Sequence, residues 1–461
     1  MPTPSSQRIR VDLPEVTFDV PAHTDILTVP HPATPLADPA GAIAQALAAP
    51  LGMPPLAQII AAAAPGKAPA AKTATIVVSD ITRPDVPYKG EASILHPLLQ
   101  TLEAQGLLPQ HITMLVATGT HRASTLAEKI HMFGADVVQR YPIIDHDAND
   151  SSVLRFVAQT ASGTEVYINT HYLDADIKLL TGEIKPHFMA GFSGGRKAIC
   201  PGIANLATLQ KFHSPQFLEH PCAASLILDG NPCHHEAMEV AERVGADFLI
   251  NVTVDEAKRL TGVYAGDWRQ AFARATACLA ETVRIPVAQP YDVVMTIDAT
   301  INHYQAAKAA VGAIPILRDG GTLIQVANSS DGLGPVEYVH ELELLMRLPS
   351  HRDYIAALFE RPTTYKDQWE VEMWCKVLEK LGGPANLIYC STGISAGELE
   401  KLPLTSGYTY TGETCLGAMV QRAIQRTVDA WQQRLGRTPR LGVILDGAHA
   451  IPCLEHTAVH A

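Results

Sequence analysis

The sequence predicts an α/β protein built as two α/β domains with mainly parallel sheets, its active site in the cleft between them. Three observations lead there. The 461 residues suffice for two hydrophobic cores. Short runs of small and β-branched residues alternate with helical patterns, and that order gives parallel sheets with helices on their faces. Several of the early apolar runs also end in a polar cluster, and ligands of open parallel sheets gather beyond the carboxyl ends of the strands.

Taken in order, residues 8–13 and 16–20 read as short strands, and a helix follows near 40–49. Residues 73–78 form a buried strand, 93–104 a helix closed by Gly106, and 112–117 a second strand, together a βαβ unit. The theme returns with a strand at 177–181, helices at 205–212 and 236–244, and a strand at 247–254. A proline-bearing link lies around 285–290, so the predicted domains are 1–280 and 281–461. Beyond the link come strand 292–297, helix 304–311, strand 321–327, helices across 336–380, strand 386–390 and helix 413–435.

Composition narrows the function classes. Hydrophobic residues make up 47% and charged residues 18%, a globular balance. The net charge of -12, without basic runs, argues against nucleic acid and anionic membranes as partners. Eight cysteines show no CxxC pair, which fits a reducing compartment. No secretory signal pattern opens the chain, and the most apolar early segment, 56–64, is too short to span a bilayer. The expectation is a soluble cytoplasmic protein.

Three polar clusters follow predicted strands: Ser79-Asp80-Ile81-Thr82-Arg83-Pro84, Thr118-Gly119-Thr120-His121-Arg122 and Gly182-Glu183-Ile184-Lys185-Pro186-His187. Strand-end placement brings Asp80, Arg83, His121 and His187 to one rim. A fourth cluster, Ala190-Gly191-Phe192-Ser193-Gly194-Gly195-Arg196-Lys197, carries adjacent glycines that suit an anion-wrapping backbone ahead of a helix. Its spacing is not that of a Walker motif, and a tight structural turn is the plainer alternative. Cys233-His234-His235 point different ways on a helix start, and Asp145-His146-Asp147 reads as a solvated turn. Residues 331–334 read as a turn whose backbone matters more than its side chains. No HExxH supports a zinc hydrolase.

Taken together, SDITRP, ATGTHR, KPHFMAGFSGGRK with ICPG behind it, YQAAK and DQW are similar, in order and spacing, to the nickel-pincer lactate racemase family. The likeness spans nearly the whole chain. It implies a 2-hydroxy acid racemase or epimerase with nickel held by a pyridinium-3,5-bisthiocarboxylic acid mononucleotide. Lys197 would carry this pincer through a thioamide, and His213, sixteen residues on, would be the nickel ligand from the protein. His121 and His187 would be the acid/base pair, with Arg83 and Lys308 gripping the substrate. Asp80, Ser193, Gly194, Gly195, Tyr304, Gln305 and Trp369 would line the cofactor. The chain departs from the family pattern before Tyr304, where Asn302-His303 are not preceded by a proline-rich turn. Proteins that make the pincer and insert nickel are implied partners, and a homo-oligomer is compatible with all of this.

The chemistry explains the residue types. The α-hydrogen of a 2-hydroxy acid is weakly acidic, so removal as hydride, through a planar 2-keto acid, avoids a carbanion. Inversion needs a proton-transfer group on each side, and histidine titrates near neutrality. Arginine grips a carboxylate in bidentate fashion. The alternatives are a larger substrate such as malate, an aromatic hydroxy acid or a sugar acid, or a non-redox nucleotide- or phosphate-binding protein.

Overall fold

A computed structural model describes residues 6–12, 15–411, 415–445 and 450–455. The chain divides into two compact units. One holds Pro32–His213 and Cys222–Thr282; the other gathers the chain up to His31, the segment Ser214–Pro221 and the chain from Val283 onward. The expected division at 280 therefore differs in the opening residues and in Ser214–Pro221. The opening residues join the C-terminal part because strand Asp25–Leu27 pairs in parallel with Leu441–Ile444. The hairpin of Ser6–Asp12 and Glu15–Pro21 likewise packs Val16, Phe18 and Val20 into the core shared with helix Leu416–Leu435.

In the first unit, five strands run parallel in the spatial order Phe248–Val254, Ile177–Glu183, Ala74–Val78, Ile112–Val116, Ile143–Asp145. Leu260–Gly266 adds an antiparallel edge beside Phe248–Val254. The chain enters at Ala74–Val78, works outward through Ile112–Val116 and Ile143–Asp145, then crosses back to Ile177–Glu183. A topological switch point therefore lies between Ala74–Val78 and Ile177–Glu183, the place where doubly wound sheets open a crevice. Ala74–Val78 is buried along its whole length, as a central strand covered on both faces must be. Helix Leu95–Ala104 covers the sheet with Leu95, Leu98, Leu99 and Leu102, a three-four-three stripe. Each such leucine contributes about 1.5–3 kcal/mol by leaving water.

The second unit is a wholly parallel sheet in the order Thr405–Ser406, Leu387–Cys390, Leu317–Ala327, Tyr291–Asp298, Leu441–Ile444, Asp25–Leu27. Strand alternation sends Val293, Met295 and Ile297 toward helix Leu416–Leu435, which meets them with Met419, Val420, Ala423 and Ile424. From the opposite face, Gln325 Nε2 donates to Ala306 O of helix His303–Ala313 at 3.2 Å.

Some expectations change. The linking region is occupied by helix Trp268–Val283 and then strand Arg284–Val287, which pairs with Ile451–Leu454. The buried stripe of this helix runs through Trp268, Ala271, Phe272, Ala275 and Leu279. Pro286 fits its strand because that ladder has only two members. The last long helix begins at Leu416, and residues 412–414, where its start was expected, lie outside the described residues. Among the described residues, no helix is long and apolar enough to cross a membrane.

Candidate active site

The carboxyl ends of three strands in the first unit carry the expected clusters. Asp80 follows Ala74–Val78 and His121 follows Ile112–Val116, neighbours in the sheet. His121 Nδ1–H donates to Asp80 Oδ2 at 2.6 Å. Asp80 Oδ1 accepts from the Thr82 hydroxyl at 2.5 Å and the Thr82 amide at 3.2 Å. Burial works to raise the Asp80 carboxyl, but the His121 hydrogen bond and charge, with Thr82 and Arg83, together hold it below the usual range. A residue that sequence reasoning missed fixes this loop: the wholly buried Tyr88 accepts from Ser79 N at 2.7 Å and donates to Thr181 Oγ1 at 2.8 Å. Arg83 stays at the rim and donates to the Thr82 carbonyl and hydroxyl, each at 3.0 Å.

His187 lies beyond Ile177–Glu183, across the switch point. Its Nδ1 accepts from Met189 N at 3.2 Å and Ala190 N at 3.3 Å. A neutral ring so held carries its proton on Nε2, which lies 2.9 Å from Lys197 Nζ. Lys197 also sits over the Phe212 ring at 5.1 Å. Burial, then the charges of Arg196 and Arg83, pull its ammonium down to about 7.

The glycine cluster is a packing device as much as a loop. Gly194 and Gly195 have φ of +71° and +54°, and an added Cβ on Gly195 would stand 2.4 Å from the Phe272 ring. Gly195 N donates to the buried Asn251 Oδ1 at 2.8 Å. Ser193 Oγ donates to Glu183 O and accepts from Lys185 N, both at 2.8 Å. These groups are engaged within the fold, and the expected α-helix is replaced by the single 3-10 turn Gly195–Ala198.

His213 ends helix Leu206–Phe212. Its Nδ1–H donates to Leu209 O at 2.9 Å, which makes Nε2 the lone-pair nitrogen, the orientation that metal-binding imidazoles take. Burial, then Lys197, lowers it to about 3, so the ring is neutral at ordinary pH. Its ring meets the Phe212 ring edge-on at 4.9 Å, so His213 and Lys197 both contact one aromatic residue. His146, expected in a solvated turn, is instead buried. Its Nε2–H donates to Ala204 O at 2.8 Å and its Nδ1 accepts from Asn169 at 3.2 Å, while Thr118 donates to its carbonyl. It therefore pins the His121 loop. Among the described residues, no three of His, Cys, Asp and Glu gather as a ready-made ion site.

In the second unit, helix His303–Ala313 places Tyr304, Gln305 and Lys308 on one half-buried face. Asn302 caps this helix by accepting from Gln305 N at 3.1 Å, and the residue 331–334 turn supports its start as backbone: His303 N and Tyr304 N donate to Gly332 O and Leu333 O, both at 3.0 Å. The sequence without a proline turn thus makes a capped start. Tyr304 Oη donates to Asp367 Oδ1 at 3.2 Å and accepts from Trp369 Nε1 at 3.3 Å. Asp367 adopts left-handed backbone, φ +64°. Burial, opposed by the Lys308 charge and aided by Asp367, raises the buried Glu370 carboxyl; no sequence signal had singled out Glu370.

The chain is similar to known proteins along most of its length. The lactate racemase N-terminal domain family matches residues 14–225, and the lactate racemase C-terminal domain family matches 288–435. A lactate racemase from Thermoanaerobacterium thermosaccharolyticum is 30% identical over 313 residues, 67% of this chain and 71% of its own length. One from Lactiplantibacillus plantarum is 33% identical over 309 residues, 66% of this chain and 71% of its own. The structure of the lactate racemase apoprotein from T. thermosaccharolyticum superposes with a TM-score of 0.81 at 25% identity, covering 97% of this chain and 100% of that one. A Thermotoga maritima crystal structure, TM-score 0.63 at 16% identity over 91% of this chain and 99% of that one, shares the fold. This chain belongs to the lactate racemase family and is, with its relatives, a racemase.

Proposed function

We propose that this racemase inverts the α-carbon of a 2-hydroxy acid, lactate first, with a nickel-pincer nucleotide attached at Lys197. The observation that carries the reading is the opposed polarity of two imidazoles at one switch point. His121 is backed by Asp80 and offers a lone pair at Nε2, while His187 carries its proton on Nε2.

The residues present fit the cofactor. Lys197 is an amine near neutrality, able to form a thioamide, and His213 offers one neutral nitrogen as a single ligand. Bound there, the group would supply an acceptor that takes the α-hydrogen as hydride and returns it to either face of the planar 2-keto acid. The protein does the rest. Arg83 holds the carboxylate at the rim. His121 Nε2 takes the hydroxyl proton, and Asp80 stabilises the imidazolium that forms. Acylated Lys197 no longer offers a lone pair to His187 Nε2, so that ring edge is released to serve the opposite enantiomer. Tyr304, Gln305, Lys308 and Trp369 keep the cofactor- and substrate-lining roles that the family likeness implies. The plain phosphate-binding alternative draws less support, since Ser193 and Gly195 already have partners inside the fold.

The test is intact mass and nickel content of protein co-produced with pincer-synthesis and nickel-insertion proteins, then assay on lactate, malate, aromatic and sugar hydroxy acids. An adduct on Lys197, absent from Lys197→Ala, with about one nickel per chain is expected. No adduct, under conditions that load a related racemase, would sink the reading.

A further inference from the structure

Arg196 stands beside Lys197 in the chain and is wholly buried. Its guanidinium donates to three backbone carbonyls: Ala190 O at 2.7 Å, Phe192 O at 2.9 Å and Gly194 O at 3.4 Å. Its plane stacks on Phe272 at 4.4 Å. Among the described residues it has no carboxylate partner. A buried cation without a counter-ion is costly, so its place beside Lys197 calls for a reason.

We propose that Arg196 is a positioning residue that keeps Lys197 an uncharged, nucleophilic amine, ready for acylation. Two effects converge. The carbonyl bonds of Arg196 shape the loop whose Met189 and Ala190 amides hold His187 Nδ1, so the ring proton sits on Nε2, facing Lys197 Nζ at 2.9 Å. A donor aimed at Nζ is met by a free amine, which has a lone pair, and not by an ammonium, which has none. The fixed positive charge of Arg196 acts in the same direction, because two adjacent cations in a dry interior repel.

Of the other groups facing Lys197, the Cys233 and Cys200 thiols oppose this, each more weakly than either arginine. Arg83 is a further cation on the loop after Ala74–Val78. His213 on the neighbouring helix end is neutral, and burial holds the Cys200 thiol far above neutrality. Cys233, on helix Pro232–Val244, is buried as well. Burial and the two arginines lower Lys197 to about 7, in keeping with the geometry. The proposal rests on Lys197 being the attachment point only for its purpose, since the reactivity belongs to the cofactor-free chain.

The test is trace labelling of the cofactor-free protein with acetic anhydride across a pH series. The Nζ lone pair attacks one carbonyl carbon, the C–N bond forms, acetate leaves with its electron pair and the amine proton passes to buffer. Peptide mass analysis compares Lys197 with the more exposed Lys366. The wild-type Lys197 midpoint is expected near neutrality, well below that of Lys366. R196M should raise it by about one pH unit, roughly a tenfold loss of rate at neutral pH. R196K, which lacks the guanidinium fork, should fall between the two. If R196M does not fold, R196K and H187A decide: both should raise the midpoint. A Lys197 that titrates with Lys366, or a wild-type midpoint in any folded variant, overturns the proposal. A chain that shows this reactivity yet never acquires an adduct in cells would instead count against the cofactor reading alone.

Discussion

His121 Nδ1 and Asp80 Oδ2 lie 2.6 Å apart, the carboxylate buried and the imidazole half open. Because a carboxylate only accepts, the bond settles which ring nitrogen carries the proton, and Nε2 is left as a base. The pairing depends on two adjacent parallel strands ending side by side, Val78 against Val116. Fold topology therefore sets the tautomer of the histidine proposed as a base.

Replacing Asp80 by Asn keeps the shape and removes the charge. The amide can donate to Nδ1, which moves the ring proton to Nε2 and takes away the base. In the loaded enzyme kcat for lactate racemisation should fall by about 10²–10⁴-fold with KM little changed. Chiral separation of the product measures it; near-wild-type turnover would remove the pair from the mechanism.

His213→Ala should keep the adduct on Lys197 and lose nickel, read by mass and metal analysis of the same sample. Protons should not compete with the metal at this nitrogen, since burial, the leading cause, holds the ring well below its usual range. The same shift bears on folding. A histidine whose folded value lies below its unfolded one contributes stability that is complete above about pH 6.5 and lost as pH falls. Acid unfolding of cofactor-free His213→Ala should therefore be shallower than wild type between about pH 6 and 4.

Much of this site was legible because parallel strands announce themselves as short apolar runs, and their carboxyl ends must carry the exposed polar residues. Asp80, His121 and His187 were singled out that way, while the role proposed for Lys197 came from the family likeness. Tyr88, His146, Asn251 and Arg196 were not, since each acts from within the core on backbone groups, at separations from 6 to 58 residues that follow no helix or strand period. No local periodicity records such a partner. His146 illustrates the failure well: flanking aspartates made its segment look solvated, while the fold turns the ring inward onto Ala204.

Tyr304→Phe should cost about 0.5–1.5 kcal/mol, because one hydroxyl serves both Asp367 and Trp369. Thermal unfolding of cofactor-free protein gives the direction. An unchanged melting temperature would mean that these two hydrogen bonds exchange evenly with water.

Helix Gln368–Leu381 carries a more unusual liability in Glu372. Its Oε1 accepts from Gln368 Nε2 at 3.0 Å, but Oε2 is buried without a hydrogen-bond partner among the described residues. Burial is the leading cause that pushes the carboxyl up to about 8. A carboxyl raised in the folded state has the opposite sign from Asp80: the folded chain binds the extra proton. Its contribution is complete below about pH 4.3, the unfolded value, and is lost as pH rises through the folded one. Glu372→Gln supplies a neutral isostere with an N–H where the protonated acid has its O–H. The variant should match wild type below about pH 4, where the acid is protonated in both states, and melt progressively higher than wild type as pH rises to about 8. If the two melting curves stay parallel across that range, Glu372 is ionised in the fold, and a cation paired with Oε2 must be sought.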